Sequence, residues 1–247
     1  MKLALFTDLH ANREAFEACF DAACRAGAQR FALLGDFVGY GADPGWVLDR
    51  VIELVEDGAV AVRGNHDDGV VHGPRPTMTD DARRAVHWTR EQLTTAQIAF
   101  LHRLPYTVEQ GGLLFTHANA FAPSAWDYIV GSAEAARSLN ATQARITFCG
   151  HMHDPMLYSL SATGKVTTFT PAPDVAIPVS PLRQWLVIPG SVGQPRDHNP
   201  AACWALFDAH EGHLVFHRTP YDHDTAAAKV LAAGLPAFLA ERLRDGR

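Results

Sequence analysis

Leu3-Ala4-Leu5-Phe6-Thr7-Asp8-Leu9-His10-Ala11-Asn12 sets a pattern that this chain repeats. The apolar run Leu3–Phe6 reads as a β-strand, and the polar cluster Asp8-Leu9-His10 follows it. Phe31–Leu34 leads in the same way into Gly35-Asp36, and Ala59–Val62 into Gly64-Asn65-His66-Asp67. Leu113–Phe115 leads into Thr116-His117, and Ile146–Cys149 into Gly150-His151-Met152-His153. Strands that pair in one sheet gather their ends along one edge, where ligand sites of α/β proteins form. Carboxylate, imidazole and amide groups distant in sequence then converge, and such a set can hold two metal ions side by side.

Between these clusters the first half alternates strand and helix. Asn12 reads as an N-cap with Glu14 early in the helix, Phe16, Cys19, Phe20 and Ala23 recur at helical spacing, and Gly27 ends the run. After the glycine-rich loop Gly39, Gly41 and Gly45, Pro44 starts a helix with Val47, Leu48, Val51, Ile52 and Val55 on its apolar face. This βαβαβ order predicts a parallel sheet core with its chemistry at the carboxyl ends of the strands. Residues 68–79 read as an irregular excursion, followed by helices at 80–93 and 95–102. The second half is mostly strands, with hairpins at Gly111-Gly112, Gly164 and Gly212. Pro171 to Pro181 reads as a loop or edge crossing, and the Ala-rich tail from Asp222 as helical. No repeat or low-complexity linker divides the chain, so residues 1–247 read as one domain.

The composition, 47% apolar and 19% charged, is that of an ordinary globular protein. The formal charge of −6 argues against bulk nucleic-acid binding, which needs a basic face. No stretch approaches the ~20 apolar residues of a membrane span, and the first residues lack a signal peptide's apolar core. Cys19, Cys24, Cys149 and Cys203 form no C-x-x-C pair and read as buried thiols of a reducing compartment. A cytoplasmic location is the expectation; the oligomeric state is left open.

D-x-H, G-D, G-N-H-D, a lone strand-end His and G-H-x-H, in this order from Asp8 to His153, resemble the calcineurin-like metallophosphoesterase superfamily. Pro189-Gly190-Ser191-Val192-Gly193-Gln194-Pro195-Arg196 resembles a segment of its smaller bacterial members. The resemblance implies an α/β fold, a four-layer α/β/β/α sandwich of two mixed sheets flanked by helices. It implies one divalent metal ion on Asp8, His10, Asp36 and His153, and a second on Asp36, Asn65, His117 and His151. Asp36, alone after Gly35, suits the bridging position. Alternation along a strand is expected to bring Asp8 with His10, and His151 with His153, to one face. His66 is implied as general acid for the leaving group, with Asp67 orienting it and raising its pKa. A bridging hydroxide would attack phosphorus in line, with no covalent phosphoenzyme. Manganese or iron suits the N/O ligand mix best, and zinc, nickel, cobalt or magnesium also fit.

Two departures stand out. Ala11 and Ala118 occupy places where many relatives have Gly, which puts the local geometry at both in question. Gly35-Asp36-Phe37-Val38-Gly39-Tyr40-Gly41 lacks the Arg that the protein-phosphatase branch carries after G-D. Arg13, Arg63 and Arg196 are candidate replacements for phosphate contact, and Asn12, Arg13 and Arg196 are the candidate substrate-binding residues. The first reading is therefore a phosphoesterase, phosphodiesterase favoured, acting on a small phosphodiester or phosphomonoester. A dinucleoside polyphosphate hydrolase or a protein phosphatase is the alternative within the class. From other classes come a non-catalytic metal-binding scaffold, disfavoured because every ligand position is filled, and a dinuclear amide or lactam hydrolase, whose H-x-H-x-D-H strings are absent.

Overall fold

The structure is a computed structural model and describes residues 1–247. β1 (Lys2–Phe6), α1 (Arg13–Arg25), β2 (Arg30–Leu33), α2 (Pro44–Glu56) and β3 (Val60–Ala61) alternate, and the three strands pair in parallel. Alternation along β1 sends Leu3 and Leu5 to one face and Ala4 and Phe6 to the other. Asn12 Oδ1 caps α1 by accepting the Ala15 N–H at 3.1 Å. Pro44 opens α2, where its fixed φ suits the first turn.

Then follow α3 (Asn65–His72), α4 (Asp80–Gln92), α5 (Thr95–Arg103), the hairpin β4 (Thr107–Gln110) and β5 (Leu113–Thr116), and α6 (Ser132–Asn140). β6 (Ile146–Phe148) leads to the hairpin β7 (Met156–Ser161) and β8 (Val166–Phe169), then to β9 (Ala176–Pro178) and β10 (Arg183–Ile188). The hairpin β11 (Ala202–Asp208) and β12 (His213–Thr219) precedes α7 (His223–Ala232) and α8 (Ala237–Asp245). No helix is long and apolar enough to cross a membrane.

The strands form two mixed six-stranded sheets, ordered β3-β2-β1-β11-β12-β9 and β4-β5-β6-β10-β7-β8. Leu3, Leu5, Leu34 and Phe207 of the first meet Phe115, Phe148, Trp185 and Val187 of the second in the central core. Ala4, Phe6, Leu33 and Trp204, on the first sheet's other face, pack against Phe16 of α1 and Val47 and Leu48 of α2. Leu160, Leu186 and Ile188 of the second sheet pack against Ala135 and Leu139 of α6. The architecture is thus helix, sheet, sheet, helix. Phe6 is a hub of the helical layer, with ring centroids 6.0 Å from Phe16 and 5.7 Å from Trp204. Its truncation to Ala costs about 3–5 kcal/mol, the range for a fully buried Phe.

Two sequence readings need correction, and a third is sharpened. The 68–79 excursion is irregular only from Gly73, because α3 runs from Asn65 to His72. Asp67 and Asp68 lie in its first turn, where negative charge favours the helix dipole, and the Asp67 carboxylate accepts the Gly64 N–H at 2.9 Å. Cys24 is exposed, and only Cys19, Cys149 and Cys203 are buried. The Pro-rich stretch is an edge crossing, one of its two readings from sequence, and contains the edge strand β9, which pairs with β12. The chain therefore crosses from the edge of one sheet, β8, to the edge of the other, β9, before returning to β10.

Candidate metal centre

The strands end where the polar clusters begin, and hydrogen bonds continue their pairing into the loops. Asp8 N–H donates to Gly35 O, His10 N–H to Asp36 O and Ala11 N–H to Phe37 O, at 2.9–3.0 Å. Val192 and Gly193 N–H groups donate to Thr7 O and Asp8 O, so the Pro189–Arg196 segment clamps the same loop. Asp8, His10, Asp36, His151 and His153 all adopt positive φ, from 46° to 69°. L-residues reach this left-handed region only at a cost of about 1–2 kcal/mol each. Left-handed turns beyond the strand ends, not alternation within a strand, therefore aim these side chains. Ala11 shares the strain with φ 51°, and Ala118 does not have a positive φ.

Four imidazoles are fixed from outside and open towards the inside. His10 Nδ1 lies 3.2 Å from Val38 O and His153 Nδ1 2.6 Å from Gln194 O. His117 Nδ1 lies 2.7 Å from Leu34 O and His151 Nε2 3.0 Å from Trp126 O. A carbonyl oxygen only accepts, so each of these nitrogens carries a proton, and in the neutral, metal-binding form the other ring nitrogen is bare. The bare nitrogens then face one another. His10 Nε2 is 3.1 Å from His153 Nε2, and His117 Nε2 is 3.2 Å from His151 Nδ1 and 3.1 Å from Asn65 Oδ1. Carbonyl anchoring of the outer nitrogen is the arrangement that orients metal-binding histidines.

The carboxylates complete the two groups. Asp8 Oδ2 accepts from Thr7 Oγ1 at 2.7 Å and His151 N–H at 3.0 Å. Its Oδ1 is buried with no hydrogen-bond partner and faces His153 Nε2 at 3.2 Å. Asp36 Oδ1 accepts the His66 N–H at 2.8 Å, while Oδ2 lies 3.8 Å from His10 Nε2 and 3.4 Å from His117 Nε2. Asp36 thus addresses both groups. Gly64 makes room for it: a Cβ there would stand 2.1 Å from Asp36 Oδ1. Buried lone pairs meeting without donors, beside an orphaned carboxylate oxygen, fit divalent cations with mixed N and O ligands.

Burial sets the charges. It pushes the Asp8 and Asp36 carboxyls up, but His153 beside Asp8, and His117 and His66 beside Asp36, hold both well below the usual range. Burial drives His10 and His153 down and takes His151 to about 3, so all three are neutral, the ligating form. His117 is the exception. Burial lowers it, but the Asp36 charge and hydrogen bond raise it to about 9, so without metal it holds a proton.

His66 lines a cleft of about 360 Å³ together with Tyr40, Asn65, Arg75, Trp126, Tyr128 and His151. Its Nδ1 is buried without a partner, and burial takes its pKa down to about 4 against the pull of Asp36. The expectation that Asp67 orients and raises His66 is not met. The Asp67 carboxylate is committed to the N–H groups of Gly64, Phe37 and Val38, and burial followed by Asp36 pushes it up to about 7. Asp67 braces the 35–38 loop, and the His66 ring is positioned instead by Tyr40, Gly39 and His10. The Tyr40 centroid is 4.3 Å away, and a Cβ on Gly39 would stand 2.5 Å from His66 Nδ1.

Three expected phosphate or substrate contacts are also corrected. The Asn12 amide is buried, capping α1 through Oδ1 and donating from Nδ2 to Gly193 O at 2.8 Å. Arg13 pairs with Glu17 at 3.3 Å and lies over the Trp46 ring. Arg63 is held by Asp68 and the Tyr106 hydroxyl, each at 3.3 Å. Arg196 remains: its charge acts on His153, His10 and His66. Sequence reading missed Tyr40, Arg75, Trp126 and Tyr128, whose ring stacks on His151 at 4.0 Å. Tyr40 lies in the glycine-rich loop directly after Gly35-Asp36, the one sequence signal that pointed near it.

Residues 1–212 match the calcineurin-like phosphoesterase superfamily domain. The chain is 30% identical over 256 residues to the uncharacterised protein MJ0912 of Methanocaldococcus jannaschii, covering 99% of this chain and 98% of that one. A metallophosphoesterase from Sphaerobacter thermophilus superposes with a TM-score of 0.88 at 31% identity, covering 100% and 99% of the two chains. PH1004 from Pyrococcus horikoshii OT3 shares the fold, with a TM-score of 0.77 at 19% identity over 100% and 98%. With two mixed sheets, a buried cluster of side chains able to hold metal at their edge and a match over most of its length, this chain belongs to the calcineurin-like phosphoesterase superfamily.

Proposed function

We propose that the chain hydrolyses small phosphate esters at a dinuclear metal centre. Asp8, His10, Asp36 and His153 would hold one ion, and Asp36, Asn65, His117 and His151 the other. The observation that carries this reading is Asp36 Oδ2, which faces His10 Nε2 and His117 Nε2 at once. Two divalent ions, manganese or iron by ligand type, supply a nucleophile from water at neutral pH and neutralise charge on the phosphoryl oxygens.

The protein's own groups do the rest. The outer carbonyls Val38 O, Gln194 O, Leu34 O and Trp126 O fix the four imidazoles, so no ligand reorganises when substrate arrives. Asp8 and Asp36 charged and the imidazoles neutral give a ligand set of low negative charge, which leaves the loaded centre attractive to a phosphate anion. His66 faces the cleft and is assigned to protonate the leaving oxygen. A bound phosphate adds negative charge beside the ring and shifts it towards its protonated form. Burial pushes the Cys19, Cys149 and Cys203 thiols up, which disfavours a thiolate nucleophile.

Metal analysis of manganese-reconstituted protein, with hydrolysis of bis-p-nitrophenyl phosphate and p-nitrophenyl phosphate, tests the proposal. Metal-dependent release of p-nitrophenol is expected. A reconstituted protein that binds no divalent ion would overturn it.

A further inference from the structure

The helices α7 and α8 lie beyond residues 1–212, the segment matched to the family domain. They pack on the helical layer: Ala226, Val230, Leu239 and Leu243 cluster with Ala85, and Lys229 Nζ donates to Asp43 Oδ2 at 2.8 Å. This packing brings Arg242 to Gln194. Arg242 Nη1 and Arg196 Nη2 both donate to one oxygen, Gln194 Oε1, at 3.3 and 3.0 Å. The backbone oxygen of the same Gln194 anchors His153.

Two guanidiniums sharing one neutral acceptor repel each other, and no carboxylate forms an ion pair with either. Asp197, beside Arg196 in sequence, is paired with Arg218. Asp81 and the phenols of Tyr40 and Tyr128 act on Arg242 but form no ion pair with it. The Nε atoms of Arg196 and Arg242 are both buried without a hydrogen-bond partner. Tyr40 links the pair to the metal ligands, its ring centroid 4.7 Å from His10 and 5.9 Å from the Arg196 guanidinium carbon. The arginines therefore stand one side chain outside the ligand cluster.

We propose that Arg196 and Arg242 form an anion subsite that takes a second phosphate group of the substrate. The inference rests on the phosphoesterase reading and narrows it to substrates that carry at least two phosphate groups. Unpaired guanidiniums match phosphate oxygens in charge and hydrogen-bond geometry. Their place beyond Tyr40 suits a group next to the scissile phosphate, not the scissile phosphate itself.

AMP and ADP, which differ by one phosphate, are the probes. Each is measured as a competitive inhibitor of bis-p-nitrophenyl phosphate hydrolysis in excess manganese, and by calorimetry on the manganese-loaded protein. ADP is expected to bind ~10-fold more tightly than AMP, a gain fitting charge-assisted hydrogen bonds. Arg242→Met and Arg196→Met should each collapse that ratio towards one, with manganese content unchanged, and Arg242→Lys should restore part of it. An ADP-to-AMP ratio equal in wild type and both Met variants would overturn the proposal. So would loss of inorganic phosphate binding in the variants at an unchanged ratio, which would make the pair a site for free phosphate. Absence of hydrolysis by the manganese-loaded wild type would count against the phosphoesterase reading alone, because the calorimetric ratio still decides the subsite.

Discussion

His10 Nε2 and His153 Nε2 face each other at 3.1 Å, and neither nitrogen has a proton to share. Their Nδ1 atoms are already donating to Val38 O and Gln194 O. Two lone pairs at this distance repel inside a low-dielectric site, and a cation removes the repulsion. The fold therefore holds an arrangement that is unfavourable empty and favourable filled.

Chelation should accordingly destabilise the protein. Free metal at 1,000 times its Kd contributes about 4 kcal/mol to a protein that binds only when folded. For a chain of this size that is roughly 8–16 °C in Tm. Differential scanning calorimetry with manganese and with excess chelator measures it, and equal Tm values would contradict the fit of the site to metal.

Removing the His66 imidazole should separate metal binding from proton transfer. His66→Ala is expected to keep its metal content and to lose ~10²–10⁴-fold in rate on alkyl phosphate esters, the usual worth of a general acid. The loss should be much smaller with p-nitrophenolate, which leaves without a proton. Steady-state kinetics on the two leaving groups, alongside metal analysis, checks the split. Loss of metal with the fold intact would make His66 a ligand.

Gly39 offers a way to displace that ring without deleting it. Its φ is +87°, and a Cβ would meet His66 Nδ1 at 2.5 Å. Gly39→Ala should cost about 1–2 kcal/mol from left-handed strain and reproduce the leaving-group dependence of His66→Ala. Urea unfolding and the same kinetic pair test it; wild-type rates on alkyl esters would show that the ring's position is immaterial.

The metal-free protein should be most stable near pH 6.5 and weaker on both sides. His66 and His151 titrate at about 4 and about 3 when folded, below their ordinary value near 6.5. Their contribution is full above pH 6.5 and is lost as pH falls, about 3 kcal/mol for His66 alone. His10 and His153 act in the same direction, and Asp8 and Asp36 add to the loss at lower pH. Asp67, raised to about 7, opposes this trend as a single group. His117 is raised to about 9, so its contribution is full below pH 6.5 and is lost as pH rises through 9. Manganese needs His117 neutral and should abolish the alkaline limb. Urea midpoints from pH 4 to 10, with and without manganese, give the two profiles.

Much of the fold and the ligand set was legible because strand ends and polar clusters adjoin in sequence. That adjacency marked the clusters that contain Asp8, His10, Asp36, Asn65, His117, His151 and His153, and the family resemblance singled these out as candidate ligands. What aims them was not legible. Five of these residues take left-handed φ, set by hydrogen bonds between loops that are distant in sequence. Asp67 adjoins His66 in sequence but faces the 35–38 loop, because the first turn of α3 rotates neighbours to different sides. Arg242 was invisible for a similar reason, since only the docking of α8 brings it to Gln194.

The central claim is that Asp36 serves two ions. Reconstitution with manganese followed by elemental analysis of wild type and Asp36→Asn tests it most directly. Asparagine keeps the shape and the Oδ1 acceptor for the His66 N–H but loses the charge that faces both His10 and His117. The account predicts two ions per wild-type chain and loss of both from the variant, each affinity falling by more than ~100-fold. Wild type holding a single ion, or Asp36→Asn retaining two, would contradict it.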